Sequence, residues 1–152
     1  MKFDIRYFDP VFLDEVSEIE NRSFSVPWSK TSFEDSLKNP LIDFYVAVTE
    51  SEEGKTSVAG YILTLTVSPE CEILNIAVSP EFRRKGIAEG LLNFVFEKAA
   101  EKRCDTLMLE VRESNFAARS LYEKLGFYAV GRRKGYYTNP IEDAILMDKS
   151  LS

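Results

Sequence analysis

The sequence predicts one α/β (α+β) domain over residues 1–152, with a mixed and mostly antiparallel sheet of about seven strands flanked by about four helices. The length of 152 residues is typical of a single domain, and a 45% hydrophobic share is enough for an ordinary core. Short alternating segments early in the chain, separated by turn residues, favour antiparallel strands. A long helical pattern between two later strand-like segments favours a parallel crossover, so the sheet should be mixed.

The first part of the chain predicts one strand and two helices. Residues 2–8 alternate apolar and polar side chains, as a half-buried strand does. Asp9-Pro10 then combines a capping side chain with a proline suited to the first helical turn. A second helix begins after Ser29 and ends before Asn39-Pro40. These signals predict helices over residues 10–22 and 30–38.

The rest of the chain predicts six strands and two helices. The polar segment 51–56 suits a hairpin turn, Ser68-Pro69 breaks the next strand, and Gly126 suits the end of a helix. The predicted strands cover residues 43–49, 57–67, 71–78, 105–111, 128–136 and 143–151, and the predicted helices cover residues 86–103 and 115–125. In the longer helix we expect Leu91, Leu92, Val95, Phe96 and Ala99 to face inward.

The chain contains no histidine. This excludes a Ser-His-Asp or Cys-His nucleophile, an imidazole base and a zinc site built on histidine. Acid–base chemistry must then use carboxylates, tyrosine, lysine, cysteine or water. The two cysteines, Cys71 and Cys104, predict no disulfide framework, and we interpret them as small buried residues rather than as nucleophiles. With neither a signal peptide nor an apolar run approaching ~20 residues, we expect a cytoplasmic protein that contacts no membrane.

Charge is divided unevenly along the chain. The net charge is −6, but residues 1–75 hold 14 acids and 6 bases, net −8, while residues 76–152 hold 11 acids and 13 bases, net +2. The second half clusters its bases at Arg83-Arg84-Lys85 and at Arg132-Arg133-Lys134. A solvated surface is the simpler explanation of either cluster, and a polyanion site is the more specific one. Neither cluster makes the domain basic, so we expect no direct binding of nucleic acid.

A strand, a basic loop and a helix follow one another over residues 75–88. Gly86 would let backbone N–H groups approach a ligand, and the start of the helix offers unpaired donors beside three cationic side chains. The segment lacks both the Walker ending and the three glycines of a dinucleotide fingerprint. It suits a phosphate or pyrophosphate, although an exposed basic turn remains an equally good interpretation.

Two further residues are candidates for acid–base chemistry. Glu110 interrupts an otherwise apolar strand pattern, where desolvation would raise the pKa of a carboxyl group toward that of a useful base. The alternative is an outward position or an ion pair with a neighbour such as Arg112. Tyr122 lies on the inward stripe of a short helix, so it is either a core aromatic residue or a hydroxyl donor near Glu110.

Taken together, several segments resemble the Gcn5-related N-acetyltransferase (GNAT) family, and within it the RimI-type branch. The family's glycine signature resembles Arg83-Arg-Lys-Gly86-Ile-Ala88. The resemblance to the branch lies in Phe24–Ser29, Leu109–Arg112, Ser114-Asn115, Leu121–Phe127, Arg133–Tyr137 and Glu142–Ala144. It spans nearly the whole chain and implies the GNAT fold, acetyl-CoA as cosubstrate and no metal.

The resemblance also implies a role for each matching residue. Glu110 would be the general base and Tyr122 the general acid. Acetyl-CoA would be bound by Ile76, Ala77, Val78, Arg83, Arg84, Lys85, Gly86, Ile87, Ala88, Glu89 and Asn115. The substrate would contact Pro27, Trp28, Tyr136 and Tyr137, although Trp28 could instead anchor its loop and the two tyrosines could form an aromatic pair of the sheet.

The implied partner is a protein N-terminus, typically the N-terminal alanine of a small-subunit ribosomal protein, whose α-amino group attacks acetyl-CoA directly in a ternary complex. The acidic first half suits a basic ribosomal protein as substrate. We expect a monomer or a weak dimer. Two alternatives stay open: an acetyltransferase acting on a small-molecule amine, and a non-catalytic protein that binds acetyl-CoA. The presence of both Glu110 and Tyr122 argues against the second alternative.

Overall fold

The computed structural model describes residues 2–151, and these contain seven strands and four α-helices. The strands are β1 (Asp4–Tyr7), β2 (Ile42–Glu50), β3 (Thr56–Val67), β4 (Glu70–Val78), β5 (Thr106–Arg112), β6 (Tyr128–Tyr137) and β7 (Glu142–Ser150). The helices are α1 (Leu13–Ser23), α2 (Lys30–Ser36), α3 (Ile87–Glu101) and α4 (Phe116–Lys124). The predicted order of elements is confirmed. The first helix begins later than predicted because Asp9 caps a short 3-10 turn, Pro10–Phe12, that precedes α1.

The seven strands form one mixed sheet in the order β1-β2-β3-β4-β5-β7-β6. β4 and β5 are parallel, and their registered pairs join Glu70–Glu72 to Thr106–Met108. The registered pairs of β1 with β2, β2 with β3, β5 with β7 and β6 with β7 are antiparallel. A mixed sheet with early hairpins and one late crossover is therefore confirmed.

The described residues divide into two compact units. The first comprises the chain up to Leu65 together with Leu74–Val95, and the second comprises Thr66–Ile73 together with the chain from Phe96 onward. In the first unit, six successive residues of β2, Phe44–Thr49, are buried, which is typical of a strand covered on both faces. The core of this unit consists of Val16, Ile19, Phe33, Phe44, Val46, Val48, Val58, Tyr61, Leu63 and Ala77.

The second unit has a strand whose two faces differ. In β5, Leu107, Leu109 and Val111 are buried, while the residues between them are partly accessible. The strand looks almost continuously apolar in the sequence, but its burial alternates as in a half-buried strand. Glu110 therefore lies on the more accessible face rather than among the core residues.

Local signals that the sequence contains are visible at the ends of the helices. The Ser29 hydroxyl accepts a hydrogen bond from the Ser32 N–H at 3.1 Å, and the Asn115 side chain accepts one from the Ala118 N–H at 3.2 Å. Gly126 follows α4 with a φ of +99°, as expected of a glycine past the end of a helix. Cys71 and Cys104 are buried, as predicted.

Two further features complete the description. Phe96, which was expected to face inward, is only partly buried. No helix within residues 2–151 combines the length and the apolar character needed to cross a membrane.

Candidate active site

The basic loop before α3 is exposed and adopts a left-handed backbone. Arg84 has a φ of +62° and Gly86 a φ of +79°, so the chain turns twice before Ile87, which is buried and anchors the first turn of α3. An added Cβ at Gly86 would meet no atom within 4 Å. The glycine therefore serves backbone conformation, and the space beside it is open.

The three cationic side chains of this loop form no ion pair with any of residues 2–151. Arg83, Arg84 and Lys85 are exposed. Such cations, next to the N-terminus of a 15-residue helix, form a suitable environment for a phosphate or pyrophosphate.

The strand that leads to this loop offers backbone groups. The registered parallel pairs of β4 with β5 involve Glu70–Glu72, and Ile76, Ala77 and Val78 lie beyond these pairs. Ala77 is buried, whereas Ile76 and Val78 are partly accessible. A Cβ at Gly60 of β3 would lie 2.8 Å from the carbonyl oxygen of Ala77, so only a glycine allows this close approach of the two strands.

The loop between α1 and α2 is held by a buried carboxylate. Glu20 of α1 is 1% exposed, and its Oε2 accepts a hydrogen bond from the backbone N–H of Trp28 at 2.9 Å. Its Oε1 accepts from the Tyr61 hydroxyl and, at 2.6 Å, from Nδ2 of Asn75. Burial and the charge of Glu20 raise the pKa of Tyr61 far above its ordinary value. Glu20 thus connects the Pro27-Trp28 loop to the residue that precedes Ile76.

Glu20 is not among the site residues that the sequence predicts. Glu20 is buried in α1 together with Val16 and Ile19. A charged residue on the apolar face of a helix is the signal that could have identified it. Pro27 is exposed, and Trp28 is partly buried with its ring centroid 5.3 Å from that of Phe33. Trp28 thus packs against Phe33, and its contact with substrate stays a prediction.

Glu110 lies in the second unit beside cationic and phenolic side chains. Its Oε1 is 3.3 Å from Nε of Arg133, and 20% of its side chain is accessible. An ion pair was anticipated as the alternative role of this residue, but Arg112 was the wrong partner. The negative charge of Glu110 raises the pKa of Tyr136, and burial together with Glu110 raises the pKa of Tyr137 to about 12.

Arg112 instead fixes the turn between β6 and β7. Its guanidinium donates to the carbonyl oxygens of Thr138 at 2.7 Å and Pro140 at 3.0 Å, and to Oε1 of Glu142 at 3.1 Å. It also lies over the ring of Tyr137, 4.6 Å from the centroid. Hydrogen bonds from Ser114 and the charge of Arg112 lower the pKa of Glu142. The segment that carries the two tyrosines is thus anchored to the end of β5.

The two tyrosines contact each other at the end of β6. The ring centroids of Tyr136 and Tyr137 are 5.1 Å apart in an edge-to-face arrangement. Tyr136 is exposed, and Tyr137 is half-buried. The pair therefore presents one accessible phenol in the neighbourhood of Glu110.

Tyr122 is buried in the second unit, 7% exposed, with its ring 5.7 Å from that of Phe127. Its hydroxyl donates no hydrogen bond to any of residues 2–151, and burial raises its pKa well above the ordinary value for a phenol. Tyr122 therefore stays protonated at physiological pH and has a hydrogen to donate. Asn115 is exposed at the start of the same helix, with its carboxamide oxygen used in the cap.

The second unit thus holds Glu110, Tyr122, Tyr136 and Tyr137, together with Asn115. The first unit holds the predicted contacts of the cosubstrate in β4 and its following loop, and the loop that contains Pro27 and Trp28. Within 2–151, no group of three or more Cys, Asp or Glu residues is arranged to hold a metal ion.

An open basic loop at the start of a helix and an accessible carboxylate beside phenols suit an enzyme that transfers an acyl group. The comparison with known families agrees with this class of protein. The model of the acetyltransferase (GNAT) family matches residues 13–127, so this chain belongs to the GNAT family of acetyltransferases. The family predicted from the sequence is confirmed.

Two similar proteins come from Bacillus subtilis and Escherichia coli. The chain is 40% identical over 136 residues to a Bacillus subtilis protein provisionally named ribosomal protein bS18-alanine N-acetyltransferase, covering 89% of this chain and 87% of that protein. It is 36% identical, again over 136 residues and 88% of each chain, to the Escherichia coli ribosomal protein bS18-alanine N-acetyltransferase. The crystal structure of the ribosomal-protein-S18-alanine N-acetyltransferase from Escherichia coli superposes with a TM-score of 0.87 at 32% identity, covering 99% of this chain and 95% of that one.

Proposed function

We propose that this chain acetylates the α-amino group of a protein N-terminus, with acetyl-CoA as donor and the N-terminal alanine of ribosomal protein bS18 as substrate. The observation that carries the chemistry is Glu110, a partly accessible carboxylate among phenols in a GNAT protein. The similarity to proteins named for bS18-alanine acetylation, over 88–89% of the chain, supports the substrate. Because this substrate is a ribosomal protein, the proposed location is the cytoplasm.

The residues around the basic loop fit acetyl-CoA. Arg83, Arg84 and Lys85 would hold the pyrophosphate, and the open space at Gly86 would let the backbone approach it. The backbone of Ile76–Val78 would pair with the extended arm, and an N–H group there would donate to the thioester carbonyl oxygen. When bound, acetyl-CoA supplies an activated acetyl thioester.

Glu110 supplies the base. An α-ammonium group with a pKa near ~8 must lose a proton before its nitrogen can attack, and Glu110 accepts that proton directly or through water. A lysine ammonium, near ~10.4, is about 250-fold less often neutral at the same pH. A carboxylate base therefore suits an N-terminal amine better than a lysine side chain.

Tyr122 supplies the acid. As the C–N bond forms and the C–S bond breaks, its hydroxyl donates a hydrogen to the departing sulfur, and the second proton lost by the nitrogen restores the phenol. An ordinary phenol is about 1.5 pKa units less acidic than a thiol, so complete transfer to the thiolate is uphill by about 2 kcal/mol. Burial raises the pKa of Tyr122 further, so its hydroxyl keeps the proton until negative charge has developed on the departing sulfur.

The charge of the chain suits a basic substrate. Residues 1–75, which contain Pro27 and Trp28, have a net charge of −8. An acidic surface raises the encounter rate with a cationic protein and makes that rate sensitive to salt. Pro27 and Trp28 would form one wall of the groove for the first residues of the substrate.

Steady-state kinetics with three acetyl acceptors tests the proposal. The substrates are a peptide with the N-terminal sequence of bS18 beginning with Ala, the same peptide with its N-terminus blocked, and spermidine. We expect kcat/KM for the free peptide to exceed the other two values by at least about 100-fold. Faster turnover of spermidine would contradict the proposal. Tight binding of acetyl-CoA by calorimetry without turnover of any amine would contradict it as well.

A further inference from the structure

Glu72 is a second carboxylate near Glu110. On β4, Cys71 and Ile73 are buried, so Glu72 points to the opposite and more accessible face. The parallel register pairs Glu72 with Met108, and paired residues of neighbouring strands share a face. Glu110 lies two residues beyond Met108 on that same face, within reach of a long side chain from the diagonal position.

The charges around the two carboxylates do not balance. Arg133 of β6 contacts Glu110, and its charge also acts on Glu72. Asp148 of β7 pairs with Met108, as Glu72 does, so a third carboxyl group shares this face. Tyr136, also from β6, is the other titratable group that both carboxylates influence. Burial and the charge of Glu110 together raise the pKa of Glu72, against the weaker opposing effect of Arg133. The surroundings of Glu72 therefore disfavour its charged form.

We propose that Glu72 and Glu110 form a carboxylate pair on one face of the sheet, which attracts the α-ammonium group of the substrate by its excess negative charge and accepts its proton. This inference rests on the proposed function for its role in catalysis. Glu72 acts through Glu110: the proton leaves the ammonium nitrogen, is held between the two carboxylates, and passes to water after acetyl transfer. No further reactant is needed. The two carboxylates then titrate as a pair rather than as independent groups.

The kinetic test compares Glu72→Gln with Glu70→Gln. Glu70 lies on the same strand and the same face, is exposed, and loses the same charge in its variant. The titration of the peptide amine near pH ~8 is common to all variants, so the comparison uses the limb of the kcat/KM profile below pH 7. We expect that limb to move to lower pH by about 0.5–1 unit in Glu72→Gln, with a several-fold lower plateau. Glu70→Gln should leave both unchanged, and equal effects of the two variants would overturn the pairing.

A second test does not depend on activity. Carboxyl groups labelled with carbon-13 at glutamate are titrated by NMR in the wild-type protein, Glu72→Gln and Glu110→Gln. We expect the midpoint of each remaining carboxyl of the pair to fall when the other is replaced. Unchanged midpoints would overturn the pair even in an active enzyme. Coupled midpoints in a protein that does not acetylate the peptide would support the pair and refute the proposed function.

Discussion

Glu20 and Glu110 are carboxylates in opposite surroundings. Glu20 is 1% exposed, and its two oxygens accept hydrogen bonds from Tyr61, Asn75 and the backbone of Trp28. The side chain of Glu110 is 20% accessible and lies against one arginine. The oxygens of Glu20 are occupied by fixed donors, whereas the partly accessible carboxylate of Glu110 can be reached by a substrate or by water.

Burial alone therefore does not mark a carboxylate as a candidate for catalysis in this chain. The more buried residue, Glu20, joins three segments of the chain, and the chemistry is proposed for the more accessible Glu110. The experiments below test this division, beginning with the variant in which we expect the largest change.

Replacement of Glu110 by Gln should lower kcat/KM for the Ala-start peptide by about 100- to 1000-fold, the usual contribution of a general base. The free energy of unfolding should change by less than about 1 kcal/mol, because the ion pair with Arg133 is partly exposed. Steady-state kinetics and urea denaturation measure the two effects. Glu123→Gln, an exposed change on α4, is the control. Activity within a few-fold of wild type would remove Glu110 from the mechanism.

Replacement of Glu20 by Gln should lower the free energy of unfolding by about 3 kcal/mol. The NH2 group of glutamine would replace one of the two oxygens and would face either the N–H of Trp28 or the two donors at Oε1, leaving at least one donor without an acceptor. Urea denaturation with linear extrapolation measures this loss. Glu18→Gln, an exposed change on the same helix, should have almost no effect. A stability loss below about 1 kcal/mol would show that Glu20 is not the structural carboxylate described above.

Tyr122→Phe and Tyr61→Phe extend the comparison to two buried phenols. The Tyr122 hydroxyl has no hydrogen-bond partner within residues 2–151, so its loss should cost little stability and lower kcat about 10- to 30-fold. The Tyr61 hydroxyl donates to Glu20, so its loss should cost about 2 kcal/mol of stability and leave kcat near the wild-type value. Urea denaturation and steady-state kinetics on both variants measure these effects. A lower kcat in Tyr61→Phe with an unchanged kcat in Tyr122→Phe would refute Tyr122 as the acid.

Gly86→Ala should give the smallest change. A side chain at a φ of +79° costs about 1 kcal/mol in conformational strain, although the site has space for a methyl group. We expect KM for acetyl-CoA to rise several-fold with kcat almost unchanged. Gly131→Ala on β6, where the added methyl would meet only the Leu146 side chain at 4.0 Å, is the control. An unchanged KM would argue against this loop as the site of the pyrophosphate.

The sequence was sufficient for most of the fold, because the signals that define its elements are local. Ser29, Asn115 and Gly126 each mark a helix end that the structure contains. The apolar appearance of β5 was misleading, because Met108 is apolar although it lies on the more accessible face. That face also carries Glu110.

The site was predictable only where its residues form a local motif. The basic loop and Glu110 stand out along the chain, but their partners depend on pairing between distant strands. Arg133 reaches Glu110 from β6, and Glu72 shares its face through the β4–β5 register, which no spacing along the sequence encodes. Glu20 was missed because its three donors come from three separate segments.

The central claim is acetyl transfer to an α-amine with Glu110 as base, and one mass-spectrometric measurement tests it directly. A peptide with a free N-terminal Ala and one internal lysine is incubated with acetyl-CoA and either wild-type protein or Glu110→Gln, and fragmentation locates the acetyl group. We expect the wild-type protein to acetylate the α-amino group at least about 100-fold faster than the variant does. Acetyl on the lysine side chain, or equal rates for the two proteins, would contradict it.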